Sequence, residues 1–168
     1  QGDQKTEPDE FHHGIAPSVK LLYASVERLF EINAPEGLEI VQGWAGSRSP
    51  VFLRLWAALA RSPLVATPAE VARFLSTVTA DIFWLTHYYP EVAELRARRF
   101  KDLSESDQVS LACRIRKLPP RKIWPHMPAG LDVKTEQVRA AVQELSRISA
   151  AGGFLDEVTG EWLRAKKL

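Results

Sequence analysis

The residues best suited to binding chemistry are arginines and lysines concentrated between positions 96 and 122. Nine basic side chains occur there against three acidic ones, whereas the whole chain carries a net charge of only +1. Guanidinium and ammonium groups bind phosphates and carboxylates, and a nearby tryptophan can stack on a base or anchor a protein partner. The candidate partner- or nucleic-acid-binding residues are Arg96, Arg98, Arg99, Arg114, Arg116, Lys117, Arg121, Lys122 and Trp124.

Three interpretations of this basic segment remain open. Basic residues are common at the C-terminal ends of helices, because the helix dipole favours positive charge there, so these side chains could be solvated helix ends. They could instead form a surface for phosphate or for an acidic partner. The third interpretation is an intramolecular contact, either with the acidic opening segment, residues 1–14, or with a neighbouring domain.

Catalytic and metal-binding patterns find little support. The four histidines do not have the spacing of a zinc or calcium site, and no glycine-rich loop continues as a phosphate cradle. Cys113 is the one cysteine, and its setting in the run LACRI is typical of a structural thiol rather than a nucleophile. We therefore predict a protein that is not an enzyme and that holds no metal and no cofactor.

Composition sets the broad class of the protein. Hydrophobic residues make up 45% and charged residues 26% of the 168 positions, which is ordinary for a globular domain. We predict one helical domain over residues 15–168, preceded by a polar tail or linker over residues 1–14. One cysteine, no visible secretory signal and no apolar run of about 18 residues predict a cytoplasmic protein outside the membrane.

Apolar spacing predicts an all-α protein. Apolar residues recur three and four positions apart, and prolines or capping residues precede most of these stretches. The fold prediction is six to eight short helices, arranged as a HEAT-like or solenoid-like array or as an orthogonal helical bundle. The stretches with this spacing are 17–30, 50–59, 67–89, 91–100, 104–118, 133–149 and 156–167.

Three segments qualify this helical pattern. The β-branched run from Thr77 to Thr79 can soften or break its helix, and residues 38–48 fit either a loop or a brief helical turn. Pro119 and Pro120 end the helix before them. The proline-rich run over residues 119–130 then predicts an extended connection.

A weak family resemblance covers roughly residues 92–163. The stretch FKDLSESDQVSLACRIRKLPPRKIWP, followed by VQELSRISAAGGFLDEVTGEWL, resembles the helical C-terminal regions of large bacterial multidomain proteins. Those proteins are headed by NTPase or SIR2-type modules, and phage-defence proteins are the nearest group. The resemblance implies a scaffold, sensor or assembly region of a longer protein, without catalytic residues of its own.

Two functions from different classes follow from these patterns. The leading prediction is a non-enzymatic helical protein-interaction or scaffold module, whose partner is another protein or a companion domain of the same chain. The alternative is a helical domain that binds nucleic acid through the basic segment, residues 96–122. Both functions depend on which of the nine candidate side chains reach the surface.

Overall fold

The computed structural model describes residues 16–124, 130 and 132–167, in a chain that divides into two compact units, Gln1–Thr67 and Pro68–Leu168. Every regular element of the described residues is helical, so the predicted all-α class is confirmed. The polar tail predicted for residues 1–14 lies outside the described residues. One domain over residues 15–168 stays a prediction.

From residue 16 onward, the part that the structure describes, the first unit contains three α-helices and one 3₁₀ turn. Helix α1 packs against both α2 and α3, and Val26 and Phe30 of α1 are buried. Gly37 lets α2 approach α1 closely, because a Cβ atom at this position would lie 3.1 Å from the Phe30 ring. The elements are α1 (Ala16–Ile32), α2 (Ala34–Val41), the turn Trp44–Gly46 and α3 (Pro50–Leu59).

The second unit is a helical bundle in which α8 packs against α6, α7 and α9. Helix α4 packs against α6 and α7, and α5 packs against α6. Leu95, Ile115, Leu145 and Ile148 are fully buried where these helices meet. The elements are α4 (Pro68–Thr77), α5 (Ala80–Trp84), α6 (Pro90–Arg99), the turn Phe100–Asp102, α7 (Glu105–Arg116), the turn Arg121–Ile123, α8 (Val133–Ala150) and α9 (Glu157–Lys167).

Local capping explains where α7 begins and where α8 ends. The Ser104 hydroxyl accepts a hydrogen bond from the Asp107 amide at 3.2 Å and donates to the Asp107 carboxylate at 2.6 Å. At the end of α8, Gly152 has a φ of +83°, and the Gly153 amide donates to the Ile148 carbonyl at 2.9 Å. The predicted start of α7 and the predicted glycine exit of α8 are therefore confirmed.

The prediction of one helix over residues 67–89 is wrong, because this stretch forms two helices, α4 and α5. The Thr77 hydroxyl donates to the Arg73 carbonyl at 2.9 Å and to the Phe74 carbonyl at 3.2 Å, within the last turn of α4. Thr79 then has an extended backbone. This division adds one helix, and α2, which begins before the open segment 38–48 and extends into it, adds another. The described residues therefore contain nine α-helices rather than six to eight.

The proline-rich connection after α7 is only partly extended. Pro120 has extended backbone angles, but Arg121–Ile123 forms a 3₁₀ turn, in which the Ile123 amide donates to the Pro120 carbonyl at 3.1 Å. The Ile123 side chain is buried and holds this turn against the rest of the second unit. Of the predicted extended run, residues 125–129 lie outside the described residues.

Candidate functional site

The break between α4 and α5 leaves backbone carbonyls without helical partners, and Arg114 binds two of them. Its Nη1 donates to the Leu75 carbonyl, and its Nη2 donates to the Val78 carbonyl at 2.7 Å. The last four carbonyls of an α-helix have no intrahelical partner, and the negative end of the helix dipole favours a cation. Arg114, which lies on α7, therefore satisfies the free carbonyls at the C-terminal end of α4.

Arg96 makes the corresponding contact at the end of α5. Its Nη1 donates to the Phe83 carbonyl at 3.0 Å, and its Nη2 forms an ion pair with the Glu144 carboxylate. The second oxygen of Glu144 accepts a hydrogen bond from Arg147 at 3.0 Å. Because Arg96 is 0% exposed and Glu144 is 3% exposed, this ion pair joins α6 to α8 inside the protein.

The Phe83 ring lies close to both guanidinium groups. The guanidinium carbon of Arg96 lies 4.3 Å from the ring centroid, and that of Arg114 lies 4.1 Å from it. Both distances are within the range of a cation–π contact, which is strongest where water is excluded. Phe83 is 1% exposed, so the ring and its two arginines join α5, α6 and α7.

The buried positive charge of Arg96 depends on Glu144 for compensation. Burial, together with the positive charges of Arg147 and Arg114, lowers the pKa of Arg96 to about 9. Burial also lowers the pKa of Arg114. Arg96 is still protonated at neutral pH, so Glu144 is the acidic group that directly compensates its charge.

The expectation of outward basic helix ends is wrong for Arg96 and Arg99. Arg99 is 2% exposed, and its Nε donates to the Asp102 carboxylate at 2.7 Å. Arg96 lies four positions after Val92 and four before Phe100, on the apolar face of its helix. Arg98 is exposed on the other face and pairs with Glu94 at 3.2 Å, a surface contact of small energetic value.

A different group of basic residues remains exposed after the end of α7. We call Lys117, Arg121 and Lys122 the α7-end basic group; all three are exposed, and none of them forms an ion pair with another described residue. Trp124 follows directly and is half-buried. Three of the eight basic candidate side chains, together with the candidate Trp124, therefore remain available to a partner.

The exposed charges of the basic segment do not form one continuous patch. Lys101 lies before α7 and Lys117 lies after it, at opposite ends of a 12-residue helix. Such a helix is about 18 Å long, which exceeds the Debye length of about 8 Å at physiological ionic strength. Arg98 and Lys101 therefore act separately from the α7-end basic group.

Arg116 interacts with the start of α9. Its side chain is half-buried, and its Nε has no hydrogen-bond partner within the described part of the chain. Burial alone would raise the pKa of Asp156, but hydrogen bonds from Thr159 and the charge of Arg116 outweigh burial and lower it. Thr159 is fully buried, and its amide donates to Asp156 at 3.0 Å.

Asp156→Asn should flatten the acid dependence of stability. Because the folded-state pKa of Asp156 lies below its ordinary value of 3.8, the unfolded chain binds more protons in acid. The stabilisation is therefore fully present above the ordinary pKa and is lost as the pH falls through the lowered one. Urea unfolding between pH 2 and 7 measures this effect, and Thr159→Val should flatten the curve in part. If the free energy of unfolding of Asp156→Asn fell with decreasing pH as steeply as that of wild type, this account would be contradicted.

A small pocket lies between α4 and α7. Its volume is about 140 Å³, which is below the 300 Å³ or more of an ordinary small-molecule site. Buried leucines form its apolar wall, and serine, aspartate and arginine residues complete the lining. Its lining includes Leu75, Leu103, Leu111, Ser76, Ser110, Asp107 and Arg114.

The described residues also lack a cluster of metal ligands and a membrane-spanning helix. Within them, no group of three or more His, Cys, Asp or Glu side chains could hold a metal ion. Cys113 is half-buried on α7, and the neighbouring Arg114 directs its guanidinium to the carbonyls of Leu75 and Val78. None of the helices in this part of the chain is long and apolar enough to cross a membrane.

The comparisons with known proteins leave the chain without an identified relative. No family model, no curated protein and no solved structure matches it. The resemblance to C-terminal regions of bacterial multidomain proteins therefore stays a prediction.

Sequence reasoning missed the role of Glu144 and assigned Phe83 only to the core. The sequence does contain a signal for the burial of Glu144. This residue lies three positions after Ala141 and four before Ile148, on the buried face of α8. A carboxylate on an apolar face requires a buried cation as partner. Arg96 occupies an apolar face in the same way, so the pair could have been proposed from the two helical patterns.

Proposed function

We propose that this chain is a non-enzymatic helical interaction module that binds an acidic protein partner through the α7-end basic group. The partner is a separate protein or a companion domain, in a longer bacterial protein of the cytoplasm. One observation carries the proposal: Lys117, Arg121 and Lys122 are exposed without an ion pair to any described residue, and Trp124 lies beside them.

The physical basis is charge complementarity around an aromatic anchor. Three cations within six residues attract a carboxylate-rich surface and increase its rate of encounter. The buried Ile123 holds the 3₁₀ turn in place, so Arg121 and Lys122 are presented on an ordered backbone. Tryptophan and arginine are also the residues most enriched at the energetic centres of protein interfaces.

Nucleic acid is the second candidate, and the observation that favours it is the half-buried Trp124 beside exposed cations, on which a base could stack. The occupied arginines weigh against it. Arg96, Arg99 and Arg114 bind carboxylates or backbone carbonyls within the protein, so the segment has fewer cations left for phosphates. A phosphate-binding surface needs several such cations for useful affinity.

The double variant Arg121→Gln/Lys122→Gln should weaken binding of a glutamate-rich peptide by about fivefold to thirtyfold, because each of the two lost contacts between opposite charges contributes about 0.5–1 kcal/mol. Isothermal titration calorimetry at two salt concentrations measures the effect. The matched control is Arg98→Gln/Lys101→Gln, which removes one arginine and one lysine from the other end of α7. The control should bind the peptide as wild type does.

Two results would contradict the proposal. One is equal peptide binding by the Arg121/Lys122 variant, the control and wild type. The other is tighter binding of a single-stranded DNA than of the peptide, with a salt dependence that only the Arg121/Lys122 variant reduces. The second result would favour the nucleic-acid function instead.

A further inference from the structure

The pocket between α4 and α7 has the size and polarity of a site for one aromatic side chain. Leu75, Leu103 and Leu111 are buried and form its apolar wall. Its volume of about 140 Å³ is close to that of an apolar cavity of about 150 Å³ that accepts benzene. A phenyl ring therefore fits where a larger ligand does not.

The lining of the pocket contains one cation, Arg114, and one carboxylate, Asp107. The Arg114 guanidinium uses two of its five N–H donors for the carbonyls of Leu75 and Val78, so donors remain for a carboxylate. Asp107, the acidic residue of the lining, already accepts a hydrogen bond from the Ser104 hydroxyl at 2.6 Å. The pocket thus favours an aromatic ring that is followed by an acidic group.

This chain carries such a pair outside the pocket. Phe154 is 86% exposed, the highest value among the large apolar side chains that the structure describes. The backbone around Phe154 is held on both sides. Gly153 before it forms a hydrogen bond with α8, and Asp156 after it forms hydrogen bonds with Thr159. Glu157 follows three residues later, at the start of α9, and is exposed.

We propose that the pocket between α4 and α7 binds the Phe154 side chain of a second copy of this chain. The high exposure of Phe154 shows that it does not fill the pocket of its own copy. Three residues span at most about 10 Å, so with the ring in the pocket the Glu157 carboxylate can reach Arg114. The apolar contact supplies most of the attraction, and this ion pair orients the two copies.

The contact is small, so the association is weak and reversible. A phenylalanine side chain buries about 150–250 Å², whereas a stable protein interface buries about 1,200 Å² or more. We expect dissociation constants in the high-micromolar to millimolar range. Sedimentation velocity and methyl NMR over a concentration series can measure association of this strength.

The experiment uses two single variants and their mixture. Phe154→Ala removes the inserted ring, and Ser110→Trp fills the opening of the pocket; both positions are exposed, so the fold should be retained, as circular dichroism can check. Each variant alone should be monomeric at concentrations where wild type associates. Their mixture should form 1:1 dimers, because one variant keeps the pocket and the other keeps Phe154.

Two controls make the result specific. Tyr88→Ala removes another exposed aromatic ring from the second unit and should leave the association unchanged. The methyl signals of Leu75, Leu103 and Leu111 should shift with protein concentration, whereas those of the exposed Leu21 should not. The Arg121→Gln/Lys122→Gln variant should associate as wild type does, which separates this proposal from the proposed function.

Three outcomes would overturn the proposal. The first is a wild-type chain that stays monomeric up to about 1 mM, the concentration range in which a contact this small would still be populated. The second is undiminished association in Phe154→Ala. The third is a synthetic peptide of residues 152–158 that binds the pocket while the intact chains do not associate, which would assign the pocket to a different partner.

Discussion

Glu144→Leu is expected to lower the free energy of unfolding by about 3–5 kcal/mol, because removal of one partner leaves a buried charge uncompensated. Arg96 is fully buried and protonated at neutral pH, and its Nε has no hydrogen-bond partner within the described part of the chain. Arg114 and Arg147 add positive charge nearby. Urea denaturation followed by circular dichroism measures the change.

The sharper form of this prediction is a reversal by a second substitution. Adding Arg96→Met to Glu144→Leu removes the uncompensated charge, so the double variant should be more stable than Glu144→Leu alone. Glu94→Gln removes one partner of the exposed pair with Arg98 and should change stability by no more than about 0.5 kcal/mol. A double variant less stable than Glu144→Leu would show that the arginine charge is not the source of the loss.

Phe83→Ala is expected to lower the free energy of unfolding by about 3–5 kcal/mol, since it leaves a cavity at a fully packed site. Phe83→Leu keeps most of the apolar volume but loses the ring that lies 4.3 Å from Arg96 and 4.1 Å from Arg114. The cost of Phe83→Leu should therefore be intermediate, at about 1–3 kcal/mol. The same denaturation measurement applies to both variants.

A partly exposed phenylalanine provides the comparison. Phe52 is 39% exposed and packs on Trp44 at 5.1 Å between ring centroids. Phe52→Leu should cost less than Phe83→Leu, because no buried cation lies over the Phe52 ring among the described contacts. Equal losses at the two positions would contradict this account, because Phe83 is both more deeply buried than Phe52 and in contact with two cations.

The sequence predicts the class of the fold and most helices because these depend on local signals. Apolar spacing, the Ser104 cap and the glycine exit at Gly152 and Gly153 each act within a few residues. The division of residues 67–89 was harder to predict. The β-branched run indicates a weak point in the helix, but the break also depends on Arg114. This residue lies 36 and 39 positions away in the sequence and binds the carbonyls that the break leaves without helical partners.

The candidate site was only partly predictable, for a related reason. Composition identifies a basic segment, but it does not separate side chains that enter the core from those that stay outside. Arg96 is buried because Glu144, 48 residues later, compensates its charge. Lys117 and Lys122 stay exposed because α7 ends at a Pro-Pro pair and only Ile123 of the following turn is buried.

Two uses of arginine and lysine result from this arrangement. Arg96 on α6 and Arg114 on α7 bind carbonyls at the ends of α5 and α4, so their first role is to hold these four helices together. The α7-end basic group makes no such contact with the described residues and is the part available to a partner. The buried arginines of the basic segment are therefore structural, whereas its residues beyond the end of α7 are exposed.

Hydrogen–deuterium exchange of the wild-type protein, with and without a saturating glutamate-rich peptide, tests this division most directly. The account predicts that the peptide slows amide exchange from Lys117 to Trp124 and leaves the turn Phe100–Asp102, beside the exposed Lys101, unchanged. Protection at Phe100–Asp102 equal to that at Lys117 to Trp124, or protection at neither segment, would contradict it.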